Sequence, residues 1–337
     1  MEYILAMHMS DALVSAKTGV AMLLVSLGLL LFATKAASAR FDSLDIPLMG
    51  IMGAFVFAAQ MVNFSIPMTG SSGHISGGIL LAAVLGAYPA FVALAGVLVI
   101  QALFFADGGI LALGCNIFNM AFFTCFVGYP LIFLPIIKRF KSTGGIFAAS
   151  IAACVVSLQL GAFCVVLETL CSGVTELDFK TFLAFMQPIH LAIGIVEGVV
   201  TAFVLVLLRD AKPAIFENIE RGGFIPTRKT AALLVLFAAL VVGCGLAQLA
   251  SEKPDGLEWS IAKTADTEQL SVPATPAHAL GSAVAEKTAI FPDYELGGGD
   301  AFSDTAGSSV FGGAMVAAAL FVFAAVVKFA RRRANAK

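Results

Sequence analysis

The sequence predicts an all-α polytopic membrane protein. Of its 337 residues, 59% are hydrophobic and only 12% are charged, whereas soluble domains carry about 25% charged residues. Apolar runs of about 20 residues, the length that crosses a bilayer as a helix, recur along the chain. The formal net charge of −2 provides no basic surface for phosphates, so we expect the lipid bilayer and no nucleic acid as partner.

Nine apolar runs are predicted to be membrane spans, forming a seven-helix bundle and two further transmembrane helices. Their ranges are 13–34, 46–62, 75–87, 89–105, 114–137, 145–168, 188–208, 230–249 and 309–330. The third and fourth belong to one apolar stretch that Pro89 interrupts. Because proline lacks an N–H and disfavours helix in the residue before it, we expect a tight turn between them.

Lysine and arginine collect in four places that nine spans would put on one side of the membrane. These are Lys35 with Arg40, the run 138–141, the segment 209–229, and Arg331-Arg332-Arg333. Cytoplasmic loops carry an excess of such residues. The sequence therefore predicts an external N-terminus and a cytoplasmic C-terminus, with His8, His74 and Asp107 near the outer face.

The polar segment 210–229 predicts a cytoplasmic linker between two domains. Residues 7–209 would form the seven-span domain, and residues 230–337 a two-span domain whose helices bracket an external loop at 250–308. That loop has ten acidic residues against three lysines. Its middle, 263–288, is rich in residues typical of disorder, and we expect little fixed structure there.

Two histidines at the outer ends of spans are candidate metal ligands. His8 lies in Met7-His8-Met9-Ser10-Asp11, and His74 follows the run Thr69-Gly70-Ser71-Ser72-Gly73. Imidazole favours Zn, Cu, Ni and Co ions over Mg or Ca. With a free amine at Met7, that amine, the His8 backbone nitrogen and the His8 ring could chelate one ion, and His74 would complete a plane suited to Ni(II) or Cu(II). The alternative for His74 is a loop histidine hydrogen-bonded to backbone.

Other polar residues near or within the spans are candidates for a second shell or an ion pathway. Asp107 is either a turn residue or a counter-charge near a cation. Asn116 and Asn119 are three apart and share a helix face, and His190 and Glu197, seven apart, share another. A structural hydrogen-bond network is an equally good interpretation of the last pair.

Two further ionisable residues are expected to lie outside any site. Glu168, at the outer end of a span, is expected at the membrane interface. His278 lies in the polar external loop and is expected to be incidental.

Several segments around these residues resemble the cobalt/nickel substrate-binding subunit of energy-coupling-factor (ECF) transporters. The resemblance covers about 7–209 in consistent order, through the segments 7–13, 60–64, 73–78, 101–109, 116–120 and 190–198. The second part, with Pro254-Asp255-Gly256-Leu257-Glu258 and Phe291-Pro292-Asp293-Tyr294, is similar to the small two-span accessory subunit found with this family. Here the two would be fused.

The resemblance implies a ligand set for the ion. Family members hold it through the amine of an N-terminal methionine, the backbone and ring of the next histidine, and a loop histidine, which correspond to Met7, His8 and His74. Met1–Ala6 departs from this pattern, so we expect translation to start at Met7 or these residues to be cleaved. Ala12 is a milder departure, because the family often has glycine there.

The resemblance also implies ATP-driven uptake of Ni²⁺ or Co²⁺, with nickel slightly preferred, in a prokaryotic cytoplasmic membrane. The ion would be the substrate, and no cofactor is expected. ATP hydrolysis would lie in separate ATPase subunits joined through a membrane coupling subunit, in agreement with the lack of a GxxxxGK[ST] phosphate loop in the sequence. Ala54 and Ala58 form a small-xxx-small face that could contact the coupling subunit or serve ordinary helix packing.

Two alternatives remain open from the residues. One is a stand-alone metal cation/proton antiporter with Glu197 as the proton carrier. The other is a membrane-embedded metalloenzyme that uses His74, His190 and Glu197, which the lack of an HExxH motif disfavours.

Overall fold

The computed structural model describes residues 7–38, 45–211, 239, 242, 243, 245, 250, 251, 253–265, 270–295 and 301–335. Most of the predicted span 230–249 lies outside these residues, as do Met1–Ala6 and nearly all of the linker. The regular secondary structure of the described part is helical apart from one small β-hairpin. Its elements are α1 (Ala16–Ser38), α2 (Asp45–Gln60), β1 (Phe64–Ile66), β2 (Ser71–Gly73), α3 (Gly78–Leu85), α4 (Ala87–Phe104), α5 (Leu113–Arg139), α6 (Thr143–Ser172), α7 (Phe179–Ala211), α8 (Gly256–Ala265), α9 (Pro276–Thr288) and α10 (Ala301–Asn335).

Six of the described helices are long and apolar enough to cross a membrane: α1, α4, α5, α6, α7 and α10. Helix α2 is apolar but shorter, and α3 has only eight residues, which is about 12 Å of helix. The predicted third span is therefore too short to cross a bilayer as a helix. The predicted break is present at Gly86, whose φ of +79° suits glycine, and Pro89 falls in the first turn of α4, where no intrahelical N–H bond is lost.

Helix α3 lies at the centre of the main core. All eight of its residues are buried, because a helix that is apolar on every side can be covered by neighbours all round. By contrast, α1 and α10 expose large apolar side chains, among them Leu24, Leu31, Phe321 and Val326. These two helices have the apolar surface that is expected of helices facing lipid.

Helix α10 packs along α2 and covers the small-residue face predicted there. Ala54 and Ala58 are both buried. A Cβ atom built at Gly313 of α10 would lie 3.5 Å from Ala54, and one at Gly243 would lie 3.4 Å from Ala58. Small residues allow this close approach of helices. In the described structure this face therefore packs against the second part of the same chain, which is the helix-packing role considered for it, and contact with a coupling subunit stays a prediction.

The described part of the loop 250–308 contains two helices where little fixed structure was expected. Helix α8 begins with a reciprocal cap, in which the Asp255 N–H donates to Glu258 Oε2 and the Glu258 N–H donates to Asp255 Oδ1, both at 2.9 Å. Helix α9 begins with Pro276 behind a Thr275 cap. Composition suggested disorder because it does not show such caps or the surface on which the loop packs.

His278, in α9, fastens this loop to the start of the bundle. It is 1% exposed, and its Nε2 lies 2.8 Å from the Val14 carbonyl oxygen. The Thr275 hydroxyl lies 2.6 Å from its Nδ1. Both ring nitrogens therefore have partners, and the expectation that His278 is incidental was wrong.

Candidate metal centre

His8 and His74 meet at one end of the helix bundle. Their ring centroids are 5.5 Å apart, and both line a cavity to which Met7 also contributes. The side chains are 2% and 12% exposed, respectively. The structure therefore brings together the three residues that the sequence analysis selected as ligands.

The segment that carries Met7 and His8 is held in place by hydrogen bonds from the residues that follow it to the segment 109–116. The Met9 N–H donates to Asn116 Oδ1 and the Asn116 amide donates to the Met9 carbonyl, both at 3.0 Å. The Gly109 N–H donates to the same carbonyl, and the Ala112 N–H donates to Asp11 Oδ1 at 2.9 Å. A Cβ at Gly109 would lie 1.8 Å from Asp11, so only glycine fits there. Asn116 is thus an anchor of the candidate ligand segment.

His74 directly follows the antiparallel β1–β2 hairpin, and Glu197 holds the residues after it. Glu197 is fully buried and accepts three hydrogen bonds: from the Ser76 N–H at 2.8 Å, the Ser76 hydroxyl at 2.7 Å and the Gly77 N–H at 3.1 Å. Both of its oxygens are occupied by donors. In the described structure Glu197 thus serves a hydrogen-bond network that fixes the His74 loop.

Replacing Glu197 by glutamine is expected to lower the thermal stability and to weaken metal binding. The amide would place an N–H against backbone or hydroxyl donors, which costs about 1–3 kcal/mol for each buried group left unpaired. Thermal unfolding and Ni²⁺ titration of the purified protein would measure both effects. Glu168→Gln is the matched control, since Glu168 is a buried acid with side-chain donors only, and its effect should be smaller. An E197Q variant with unchanged stability would contradict the anchoring role.

Asp107 lies against His8. Its Oδ1 is 3.0 Å from His8 Nδ1, and its Oδ2 accepts a hydrogen bond from the Tyr294 hydroxyl at 2.5 Å. Burial alone would raise the pKa of Asp107, but the electrostatic interaction with the adjacent His8 ring and the hydrogen bond from the Tyr294 hydroxyl outweigh it and lower the pKa. Of the two interpretations of Asp107, the structure favours a counter-charge beside the site over a simple turn residue.

The site contains buried polar atoms with unused bonding capacity. Both ring nitrogens of His8, Nδ1 of His74 and Oδ1 of Asp107 are buried without a hydrogen-bond partner among the described residues. Although His8 Nδ1 and Asp107 Oδ1 are close, their geometry is not that of a hydrogen bond. Buried polar atoms are nearly always paired, so this set is well suited to a cation that prefers nitrogen ligands.

The protonation state of His74 also suits a metal ligand. Burial, and to a lesser extent the proximity of His8, lowers the pKa of His74 to about 3. Its ring is therefore neutral near pH 7, as a ligand imidazole must be. Within the described residues, no group of three or more His, Cys, Asp or Glu side chains could hold a metal ion, so a full ligand set would have to include backbone groups.

The remaining candidates surround this cavity without converging on one point. Asn119 and His190 line it. The Asn119 amide donates to Glu168 Oε2 at 2.6 Å, and Glu168 is buried within the protein, while its position at the membrane interface stays a prediction. His190 Nδ1 lies 2.8 Å from the Met186 carbonyl oxygen, an ordinary hydrogen bond for a half-buried histidine in a helix.

Sequence reasoning missed two residues at the site, Asp255 and Tyr294, which both come from the loop 250–308. Asp255 lines the cavity, with Oδ2 3.8 Å from His74 Nδ1. Burial and the nearby Asp107 raise the pKa of the Tyr294 hydroxyl, so it stays a donor. The available signal was the resemblance of their two segments to an accessory subunit, but no pattern placed them beside the histidines.

Comparison with known families now places the chain. Residues 8–215 match the family described as the cobalt uptake substrate-specific transmembrane region, CbiM. Residues 229–329 match the PDGLE domain. The chain belongs to the CbiM family and carries a PDGLE domain behind it. It is thus a multi-pass membrane subunit for metal uptake, and the resemblance noted in the sequence is confirmed.

Relatives include both separate and fused proteins. A protein of Archaeoglobus fulgidus named as a fused nickel transport protein NikMN is 37% identical over 201 residues, which cover 58% of this chain and 66% of that protein. The chain thus aligns with slightly less than two thirds of that relative. The cobalt transport protein CbiM of Geobacter sulfurreducens is 29% identical over 252 residues, covering 70% of each chain.

Two crystal structures share the fold. One is of a transition metal transporter, with a TM-score of 0.54, 31% identity, and coverage of 64% of this chain and 98% of that one. The other, of a truncated transition metal transporter, has a TM-score of 0.53 and 32% identity and covers 60% and 99%, respectively.

Proposed function

We propose that this chain is the substrate-specific subunit for ATP-driven uptake of Ni²⁺ or Co²⁺, and that it binds the ion at the outer face of the membrane. The observation that carries the proposal is the meeting of His8 and His74, 5.5 Å apart, around a cavity that Met7 also lines. Their buried ring nitrogens lack hydrogen-bond partners within the described structure. The nickel name of the fused relative from Archaeoglobus fulgidus supports a nickel preference.

The proposed ligands are the Met7 amine, the His8 backbone nitrogen and ring, and the His74 ring. A chelate through the His8 backbone and ring uses Nδ1, because only this nitrogen closes a small ring with the same residue's amide. Nδ1 faces Asp107 in the structure. Loading would therefore exchange the Asp107 contact for the ion and leave the carboxylate nearby as a counter-charge.

The distribution of charge supports the proposed orientation. The C-terminal end of α7 meets the N-terminal end of α6, where Arg209 Nη2 donates to the Thr143 hydroxyl at 3.1 Å. Basic residues also end α1 and α5. The positive-inside rule makes that side cytoplasmic, and we infer an external N-terminus and metal centre, with a cytoplasmic C-terminus.

The domain arrangement that we propose is a metal-binding unit at 7–209, a linker at 210–229 and an accessory unit at 230–337. Energy would come from separate ATPase subunits through a membrane coupling subunit, because the sequence has no phosphate loop. Two alternatives have less support. In the described structure Glu197 is occupied by Ser76 and Gly77, which suits neither a proton carrier nor a metal ligand shared with His190.

Reconstitution would test the energy source. We expect ⁶³Ni²⁺ uptake into proteoliposomes only when the chain is combined with the coupling and ATPase subunits and ATP. A His74→Ala chain in the same complex is the control and should show no uptake. If the isolated chain transports nickel in response to a proton gradient, without any ATPase, the proposal is wrong and the antiporter alternative is correct.

A further inference from the structure

The start of the loop 250–308 packs against the β1–β2 hairpin that precedes His74. The Ser72 N–H donates to the Pro254 carbonyl and the Ser72 hydroxyl donates to the Lys253 carbonyl, both at 2.7 Å. On the other side of the segment, Trp259 Nε1 donates to the Thr69 carbonyl at 3.0 Å. These bonds fix the segment between Lys253 and Trp259 against the His74 loop, so that Asp255 is held inside the cavity.

The two oxygens of Asp255 face different partners. Oδ1 accepts the Glu258 N–H at the cap of α8, at 2.9 Å. Oδ2 lies 3.8 Å from His74 Nδ1, which has no hydrogen-bond partner within the described structure. Asp255 is 4% exposed. One oxygen thus caps helix α8, and the other is directed towards a candidate metal ligand.

Each histidine of the site consequently has a carboxylate beside its Nδ1. Asp107 of the bundle lies beside His8, and Asp255 of the accessory part lies beside His74. Histidines that bind metals usually donate their other ring N–H to a carboxylate or carbonyl, which fixes the tautomer and the orientation of the ring. A movement of less than about 1 Å would bring Asp255 and His74 to hydrogen-bond distance.

We propose that Asp255 is the positioning residue of His74: in the loaded protein it accepts the Nδ1–H hydrogen bond and thereby directs Nε2 to the ion. This inference rests on the proposed metal-uptake function. It gives the accessory part a defined role at the metal centre, because the bundle would then be completed by a carboxylate from the external loop.

Asp255→Asn is the decisive variant. Asparagine caps a helix as well as aspartate does, so Oδ1 can still accept the Glu258 N–H, while an amide N–H replaces the acceptor that faces His74. In Ni²⁺ titrations of the purified chain that begins at Met7 and keeps the accessory part, we expect the affinity to fall by about 10–100-fold, as for other outer-shell partners of metal ligands. Glu286→Gln, which removes an exposed acid from the same external loop, should bind like the wild type.

A double-mutant cycle with His74→Ala shows whether Asp255 acts through His74. In the H74A background, D255N should cause no further loss. An additive loss, as for a direct ligand, would overturn the proposal, and so would wild-type affinity in D255N alone.

A second measurement applies even where H74A binds too weakly for the cycle. In the Zn²⁺-loaded wild type, the imidazole ¹⁵N signals of His74 should show a metal-bound Nε2 and a protonated Nδ1. A metal-bound Nδ1 would overturn the proposal. If a wild-type chain that begins at Met7 binds neither Ni²⁺, Co²⁺ nor Zn²⁺, the proposed function itself fails, which is a different result from wild-type affinity in D255N.

Discussion

Replacing either His8 or His74 by alanine is expected to weaken Ni²⁺ binding at least 100-fold. The loss should exceed the 10–100-fold that is typical of outer-shell partners, because each substitution removes a proposed direct ligand. His8 would supply a ring nitrogen of the proposed chelate, and His74 has a neutral ring at the cavity, since burial lowers its pKa to about 3. Equilibrium titration of purified protein with Ni²⁺ and a competing chelator would measure the change.

The matched control is His278→Gln. His278 is also buried, but its ring contacts the Val14 carbonyl oxygen and does not line the cavity. This variant is expected to lose stability and to keep its Ni²⁺ affinity. Stoichiometric binding of unchanged affinity in both H8A and H74A would exclude the proposed site.

An equally large effect is expected from the amine of Met7. A chain that begins at Met7 should bind Ni²⁺ with high affinity, and one that keeps Met1–Ala6 should bind at least 100-fold more weakly. The reason is that an α-amine, with a pKa near 7.7–8.0, can lose its proton to a metal at neutral pH and then holds the ion beside the His8 peptide nitrogen. In an extended chain the Met7 nitrogen is itself a peptide nitrogen, so no amine is left to hold the ion before a peptide proton is lost.

A cleavable extension provides the control within one sample. A protease site placed before Met7 allows binding to be measured before and after removal of the preceding residues, and binding should appear only after cleavage. The mass of the N-terminal peptide from native membranes would show which form exists in the cell. High-affinity binding by a mature chain that begins at Met1 would contradict the amine-ligand mechanism.

The candidate ligands could be predicted because their chemistry is local. His8 stands next to Met7 before an apolar run, and His74 follows a glycine- and serine-rich loop, so residue type and position were informative. The roles of Asn116 and Glu197 were left open, because the sequence does not show which donors surround a buried polar group. The structure assigns them to the Met9 backbone and to the loop after His74.

The loop 250–308 shows most clearly what amino-acid composition cannot predict. Its polar residues suggested little structure, yet Asp255, His278 and Tyr294 are held by contacts with distant parts of the chain: His74, Val14 and Asp107, respectively. Such contacts join residues more than 100 positions apart. Neither periodicity nor spacing along the chain contains that information.

By itself, the sequence determined that this protein is a helical membrane protein and that two histidines are candidate ligands. Hydrophobic run length and residue type are sufficient for both conclusions, since the bilayer selects long apolar helices and imidazole selects transition metals. Only the tertiary structure decided that α3 is a short buried helix and that α10 covers α2. It also decided that the loop 250–308 supplies a carboxylate beside His74, because burial and pairing depend on how the helices pack.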